Sequence, residues 1–153
     1  MIGDIKGYGW DPEKGLPLTK ISEGIFEAKD VETMENPIVW FAFTSELGGW
    51  EVVNENRVAP ENPNTEFVLN ENNSFVVGAD CSWQMAGGVY TYTVDFNTMT
   101  VKATGSPYEI EVDDNIYFIG SMNGWTFNGD YALTQSTTYP KLYTGSFEIA
   151  DQE

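Results

Sequence analysis

The sequence predicts an all-β protein built on an immunoglobulin-like antiparallel β-sandwich. Two observations favour this fold: the chain carries 15 Gly and 7 Pro with 14% aromatic residues, and its Val, Thr, Tyr, Phe and Trp recur in short runs. Such runs between turn residues are typical of many short strands. A third is that no segment keeps a sustained helical period. The 153 residues suffice for one sizeable core, or for one domain plus a fragment. We therefore expect about seven to nine strands and little helix.

The first half of the chain contains the strongest strand signal. A strand over Met1–Ile5 leads into the loop "GYGWDPEKG", and "EGIFEA" predicts a second short strand. The longest apolar run, "PIVWFAFT" over Pro37–Thr44, predicts a central strand. Because side chains alternate along a strand, Trp40 and Ala42 share one face and Phe41 lies on the other. "SELGGW" then predicts a turn that places Trp50 just after two glycines.

The second half predicts shorter elements. Asn54–Asn64 is polar and broken by Pro, which indicates a loop, and "TEFVLN" and "SFVVG" predict a hairpin around "ENN". "VYTYTVDF" alternates strictly, so Tyr90, Tyr92, Val94 and Phe96 should line one face. A tight turn then feeds a last strand that ends near Thr104.

An internal repeat follows this module. "MIG" at Met1 matches "FIG" at Phe118, and Gly9-Trp10 matches Gly124-Trp125 after a two-residue gap. "LPLTK" then matches "YALTQ", and "GIFEA" matches "KLYTG", at corresponding distances. Repeats of this kind indicate tandem modules.

The repeat sets the predicted domains: a complete module over residues 1–104, a linker over 105–114, and the start of a second copy over 115–153. Glu153 falls opposite about Asn36, and "NIY" before Phe118 has no equivalent before Met1, so we expect a fragment of a longer repeat protein. An incomplete copy exposes strand edges and apolar residues such as Ile119 and Leu142, which favours either a strand-exchanged homo-oligomer or disorder of this copy.

The charge and the rare residues restrict the function. The net charge is −17 and Arg57 is the single arginine, which argues against nucleic acid and anionic membranes as partners. A neutral ligand, a cation or no ligand at all fits this charge better. The absence of His removes His-based triads and argues against zinc and non-haem iron sites. Cys81 is alone, so no intrachain disulfide forms.

No apolar run approaches the ~18 residues of a membrane span, and Asp4 and Lys6 interrupt the opening apolar stretch, so we expect any signal peptide or lipid anchor to lie outside this sequence.

Three segments in order carry a family resemblance: "FIGSMNGW", "FTSELGGWEVVNENRVAP" and "GGVYTYTVDFNTMTVKAT". Together they resemble the tandem domains of the SusE/SusF-type outer-membrane lipoproteins, which are starch-binding proteins of bacterial glycan-uptake systems. The resemblance covers about Met1–Thr104 as one module and Asn115–Glu153 as the start of the next. It implies a non-catalytic protein on the bacterial outer-membrane surface that captures a neutral oligosaccharide or polysaccharide alongside other components of a glycan-uptake complex.

The resemblance also implies a grip built on tryptophans. Glycogen-binding relatives carry a Trp in a Gly-Asn-Trp turn, a Lys on the next central strand and a second Trp after that strand. The two Trp positions match Trp10 and Trp50, and Trp125 repeats the first. The Lys position falls near Ala42, so the cation is missing. Trp40, two residues earlier on the same face, is a candidate platform that could take over its role in the site.

Exposed tryptophans beside polar side chains are the chemistry that a sugar site needs. A flat ring covers the C–H face of a sugar, and amide or guanidinium groups bond its hydroxyls. The candidate platforms are Trp50, Trp40, Trp10 and Trp83, and the polar partners nearest in sequence are Asn54, Asn56, Arg57 and Gln84. Each has a structural alternative: Trp10 as a loop staple, Trp40 in the core, Trp83 in rim packing, and Arg57 paired with Glu55 or Glu61.

Three other functions stay open at the sequence level. A glycosidase needs two carboxylates about 5–10 Å apart, and 24 acids make a chance pair inevitable, but no other catalytic signal accompanies them. The loops around Asn54–Asn64 and Glu71–Asn73 offer oxygen ligands for calcium but lack a calcium-loop pattern. The main alternative is a structural spacer with no ligand, in which all four candidate tryptophans are buried.

Overall fold

The structure is a computed structural model that describes residues 1–109, 116–119, 125, 131–135 and 143–146. The chain divides into two compact units, Met1–Tyr108 and Glu109–Glu153. Among the described residues, no helix is long and apolar enough to cross a membrane.

The regular secondary structure of the first unit is nearly all β-strand, with one short α-helix within residues 1–109. The helix is α1 (Trp50–Glu55). In chain order the strands are β1 (Ile2–Gly3), β2 (Thr19–Ser22), β3 (Ile25–Glu32), β4 (Val39–Thr44), β5 (Arg57–Ala59), β6 (Thr65–Glu66), β7 (Asn73–Ser74), β8 (Val76–Val77), β9 (Trp83–Met85), β10 (Gly88–Asp95) and β11 (Thr100–Pro107).

The strands of Met1–Tyr108 form two sheets. The first has six strands, in the order β6-β9-β4-β5-β8 with β1 also paired to β4, and the second has five, in the order β2-β3-β10-β11-β7. All pairs are antiparallel except β6 with β9, which is parallel. The strands outnumber the expected seven to nine because several are only two residues long.

One hydrophobic core joins the two sheets. Phe41 and Phe43 of β4 meet Tyr92 of β10, with ring centroids 5.2 and 5.9 Å apart. Tyr90, Tyr92 and Val94 are buried, as the strict alternation of β10 predicts. The prediction of an all-β sandwich is thereby confirmed.

Two details of the first unit differ from the expectations. The strand β11 continues to Pro107, so residues 105–107 belong to the sheet rather than to a linker that begins at Gly105. The hairpin expected around "ENN" does not form, because β6 pairs with β9 while β7 pairs with β11.

The second unit repeats the strand pairing of the first. Its described strands are β12 (Ile116–Tyr117), β13 (Ala132–Gln135) and β14 (Tyr143–Thr144), in that order in one sheet. In the first unit Thr19 lies opposite Glu27, and the residues that the sequence alignment makes equivalent, Thr134 and Thr144, also lie opposite each other. The pairing therefore agrees with the alignment of the two copies. Leu142, named above as an apolar residue of the second copy, lies outside the described residues.

Candidate functional site

The outer face of the first sheet gathers most of the candidate site residues. Ala42 of β4, Ile2 of β1 and Ala59 of β5 form a small buried cluster there with Val53 of α1. The helix α1 therefore packs on the outer face, opposite the main core. Trp40 and Ala42 share this face, since they are two residues apart on one strand.

Trp40 is an exposed aromatic side chain on this face, with 39% of its surface accessible. Gln84 of β9 lies directly opposite it across the strand pair, so both side chains are on the same side of the sheet. The half-buried Gln84 side chain is therefore the direct cross-strand neighbour of Trp40.

Asp4 ties Trp10 to the same strand. One carboxylate oxygen of Asp4, Oδ2, accepts the backbone N–H of Trp40 at 2.9 Å, and Oδ1 accepts the indole Nε1–H of Trp10 at 2.9 Å. Trp10 is half-buried and packs against the small cluster around Ala42. Its ring therefore staples the loop onto the sheet and offers less free surface than Trp40.

The loop that carries Trp10 is closed by Asp11. The Asp11 carboxylate accepts the backbone N–H of Glu13 at 3.0 Å, and Lys14 approaches it at 3.3 Å. The first of these contacts is the main one that lowers the pKa of Asp11. The carboxylate therefore stays ionised at neutral pH and keeps the turn closed.

Trp50 is the second exposed aromatic side chain, with 43% of its surface accessible. It is the first residue of α1 and follows Gly48 and Gly49, which adopt φ values of 140° and 101° that other residues rarely take. The guanidinium carbon of Arg57 lies 5.7 Å from the centroid of the Trp50 ring, which is a cation–π distance.

Arg57 is buried beneath Trp50, with 6% of its surface accessible. Its Nη1 donates to Asp80 Oδ1 at 2.8 Å and to the Cys81 carbonyl at 3.4 Å, and its Nη2 donates to Asn54 Oδ1 at 2.6 Å. Among the described residues no acceptor lies within hydrogen-bonding distance of its Nε. The guanidinium is thus held by three groups and supports the indole from below.

The expected partners of Arg57 were wrong. The ion pair forms with Asp80 rather than with Glu55 or Glu61, because the chain returns to β5 through β8 and the following loop. Asn54, a predicted polar partner of the platforms, lies beside Arg57, and its carboxamide oxygen accepts a hydrogen bond from Arg57 Nη2. The Asn56 amide instead donates to the carbonyl of Val52 and closes the end of α1.

Trp83 is a correction to the candidate list. Its accessible surface is 0%, and its ring stacks on Phe41 with centroids 5.7 Å apart and meets Phe43 and Phe67 edge-on. It points from β9 into the core, on the side opposite Gln84. A ring covered on both faces by aromatic neighbours cannot stack on a ligand at the surface.

Sequence reasoning missed two acids and one helix. Asp4 holds Trp10 and the backbone of Trp40, and Asp80 holds Arg57. Neither aspartate lies in a sequence pattern that indicates these contacts. The helix α1 occupies part of a segment expected to be a turn and loop, although Trp50 and Val53, three residues apart, have the spacing of one helical face.

Candidate metal ligands do not cluster in the part of the chain that the structure describes. No group of three His, Cys, Asp or Glu side chains there could hold a metal ion. In the candidate calcium loops, the Asn73 amide donates to the carbonyls of Val68 and Glu71, and the Asn54 oxygen is engaged by Arg57.

Comparison with known proteins gives no match for this chain among protein-family models, curated proteins or solved structures.

Proposed function

We propose that the first unit is a non-catalytic glycan-binding module that stacks sugar rings of a neutral, starch-like α-glucan on Trp40 and Trp50. The observation that carries this proposal is the outer face of the first sheet. It presents two tryptophans with about two-fifths of their surface accessible, each beside amide or guanidinium groups.

Stacking is the physical basis of the proposed affinity. A tryptophan in an ordered strand or helix loses little conformational entropy on binding and offers a large flat apolar face. Trp50 is held from below by Arg57, and the backbone of Trp40 is held by Asp4, so both rings are preorganised.

Polar groups beside the rings supply the hydroxyl contacts. The Gln84 amide lies next to Trp40, and it both donates and accepts hydrogen bonds. The amide nitrogen of Asn54 is a donor near Trp50, because its oxygen is already occupied by Arg57. A sugar hydroxyl can both donate and accept a hydrogen bond, so it can bond either the Gln84 amide or the Asn54 amide nitrogen.

The charge of the chain favours a neutral glycan. At a net charge of −17, a uronic acid or a sulfated sugar is repelled, whereas a neutral sugar is not. The family resemblance adds a setting to this proposal: a tandem module of an outer-membrane lipoprotein that delivers glycan to other components of an uptake complex.

Affinity electrophoresis tests the proposal. We expect the full chain to be retarded in gels that contain starch or pullulan and to run freely in gels without polysaccharide. Substitution of Trp50 or Trp40 by Ala should weaken binding by roughly tenfold or more, the effect of losing a binding hot spot. Ile21→Ala is the matched control, because Ile21 is 52% exposed on β2 of the other sheet and should leave retardation unchanged.

The outcome also separates the spacer alternative. No retardation on starch, pullulan, xylan or mannan would refute glycan binding by this unit and favour a spacer. Quenching of tryptophan fluorescence by acrylamide, with and without oligosaccharide, gives an independent reading, since a bound sugar should protect Trp40 and Trp50 but leave the buried Trp83 unaffected.

A further inference from the structure

A recess lies in the first unit, away from the outer face of the first sheet. It is a cleft of about 330 Å³ that opens between the two sheets. Its walls come from both sheets, from the segment before β2 and from the residues that follow β4 and β10. The apolar lining residues are Phe43, Val58, Phe26, Phe96, Leu18 and Leu47. A lining of this kind favours an aliphatic group over a sugar.

One rim of the cleft carries a strand-like backbone pair. The Met1 amine donates to the Leu16 carbonyl at 2.8 Å, and the Leu16 N–H donates to the Met1 carbonyl at 2.8 Å. Two reciprocal bonds of this kind define a hydrogen-bonded pair of an antiparallel ladder. The next hydrogen-bonded position along this rim is Leu18, because hydrogen-bonded and non-hydrogen-bonded pairs alternate.

Pro17 fits the intervening position. In an antiparallel ladder the residue at a non-hydrogen-bonded position directs its N–H away from the neighbouring strand. A proline, which has no N–H, is therefore tolerated there. The backbone of Leu16–Leu18 can therefore extend the ladder past the Met1–Leu16 pair, with Leu18 as the next residue that bonds a neighbouring strand.

The second unit contains that further pair. Phe118 N–H donates to the Tyr131 carbonyl at 2.9 Å, and these residues are the equivalents of Met1 and Leu16 in the repeat. There the strand β12 places Ile116 opposite Leu133 and Tyr117 opposite Ala132. Leu133 is the equivalent of Leu18, which packs against the main core of the first unit.

We propose that the cleft of the first unit is a strand-accepting site for an extended peptide segment in which an aliphatic residue is followed by tyrosine. The segment lies antiparallel to Leu16–Leu18 and bonds the backbone of Leu18. Its aliphatic side chain shares the face of Leu18 and enters the cleft, and its tyrosine, opposite the exposed Pro17, stays at the surface.

Charge adds a preference among such segments. Glu46 lies on the rim of the cleft and the chain carries a net charge of −17. A neutral or basic segment is therefore accepted better than an acidic one.

The test grafts the segment onto the full chain. One variant carries Asp-Asn-Ile-Tyr, the sequence of Asp114–Tyr117, directly before Met1, and a matched variant carries Asp-Asn-Ser-Tyr. Both convert the Met1 amine into an amide, so they differ only in the side chain offered to the cleft. We expect the Ile variant to melt about 5 °C higher, as one newly buried aliphatic side chain implies, and its Leu18 amide to exchange roughly tenfold more slowly.

Two substitutions locate the effect. Leu47→Asp places a charge at the mouth of the cleft and should abolish the difference between the two grafts. Val68→Asp, at a residue that is 47% exposed and not part of the cleft wall, should preserve it. Equal melting temperatures and equal Leu18 exchange for the Ile and Ser grafts would overturn the proposal.

A free peptide completes the test. The heptapeptide with the sequence Asp114–Gly120 should perturb the NMR signals of Leu18 and Leu47 saturably at millimolar concentration, and the same peptide with Ser in place of its Ile should not. Equal binding of both peptides would contradict insertion of the aliphatic side chain. None of these readouts depends on glycan binding, so the two proposals fail separately.

Discussion

Arg57 shows how a single residue can organise a surface. It is the one arginine of a chain with net charge −17, yet it is buried and its charge is shared by Asp80, Asn54 and a carbonyl. Because Asp80 is mostly exposed, with 75% of its side chain accessible, the two partners of this ion pair depend on it unequally. Loss of the ion pair therefore leaves an unpaired buried charge on Arg57 but only a solvent-exposed charge on Asp80.

This asymmetry predicts different costs for the two partners. Asp80→Ala leaves a buried guanidinium with fewer acceptors, so we expect a loss of about 2 kcal/mol in the free energy of unfolding. Arg57→Met keeps most of the side-chain volume and leaves the exposed Asp80 carboxylate and the half-buried Asn54 and Cys81 oxygens to water, so the loss should stay below about 1 kcal/mol. Urea denaturation of the two variants measures both values, and an equal or larger loss for Arg57→Met would contradict this account.

The tryptophans show the limit of sequence reasoning at the residue scale. Trp83 and Trp50 are both preceded by short polar or glycine-containing segments, but Trp83 is buried and Trp50 is 43% exposed. The difference comes from neighbours far along the chain: Phe41, Phe43 and Phe67 cover Trp83. No local pattern contains that information.

At the scale of elements, the junction of β1 and β4 positions the candidate platform. Ile2 pairs with Ala42 and Gly3 pairs with Phe41, while the next residue, Asp4, bonds the Trp40 backbone. Gly3 adopts a φ of 142°, and a Cβ atom there would collide with the Trp40 carbonyl and with Phe41.

We therefore expect Gly3→Ala to cost about 2–4 kcal/mol, from backbone strain and from the displaced strand. It should also weaken glycan binding, because Asp4 and Trp40 would move together. Thermal denaturation and affinity electrophoresis check the two effects. Gly7→Ala is the control for the strained backbone alone, because Gly7 has a φ of 83° but open space around its Cβ position, so its cost should be smaller.

The elements also divide by how well the sequence predicts them. The long strands β4 and β10 were predicted nearly to their ends. The strand β4 is the longest apolar run of the chain, and the strict alternation of β10 specifies both the strand and its buried face. The helix α1 was not predicted, and the strands expected in "TEFVLN" and "SFVVG" are shortened to two residues each, in β6 and β8. Elements this short carry no period of their own and are set by their pairing with β9 and β5.

At the scale of the whole molecule, the buried tyrosines of the core couple folding to alkaline pH. Burial, and to a lesser degree the neighbouring Tyr90, raises the pKa of Tyr92. Above about pH 10 the unfolded chain loses this phenolic proton while the folded protein keeps it. The folded state then binds more protons than the unfolded state, so its stability falls as the pH rises.

Tyr92→Phe should reduce this dependence. Within the described part of the chain, the Tyr92 hydroxyl makes a single long hydrogen bond of 3.5 Å, to the sulfur of Met85, so the substitution costs little at neutral pH. Above pH 10 the slope of unfolding free energy against pH should become less negative by about 1.4 kcal/mol per pH unit, the value for one proton. Denaturant unfolding of both proteins between pH 9 and 11 measures the slopes, and identical slopes would contradict the assignment.

The sequence by itself determined the class of fold and the internal repeat. Alternation and turn residues specify strands locally, and the matched anchors of the two copies predicted which strand residues pair in the second unit. The tertiary structure alone decided which tryptophans are exposed, that Asp80 is the partner of Arg57, and that Asp4 reaches Trp40 across 36 residues. The physical reason is that burial and hydrogen bonding on this face depend on segments that are distant in sequence and meet only when the two sheets pack.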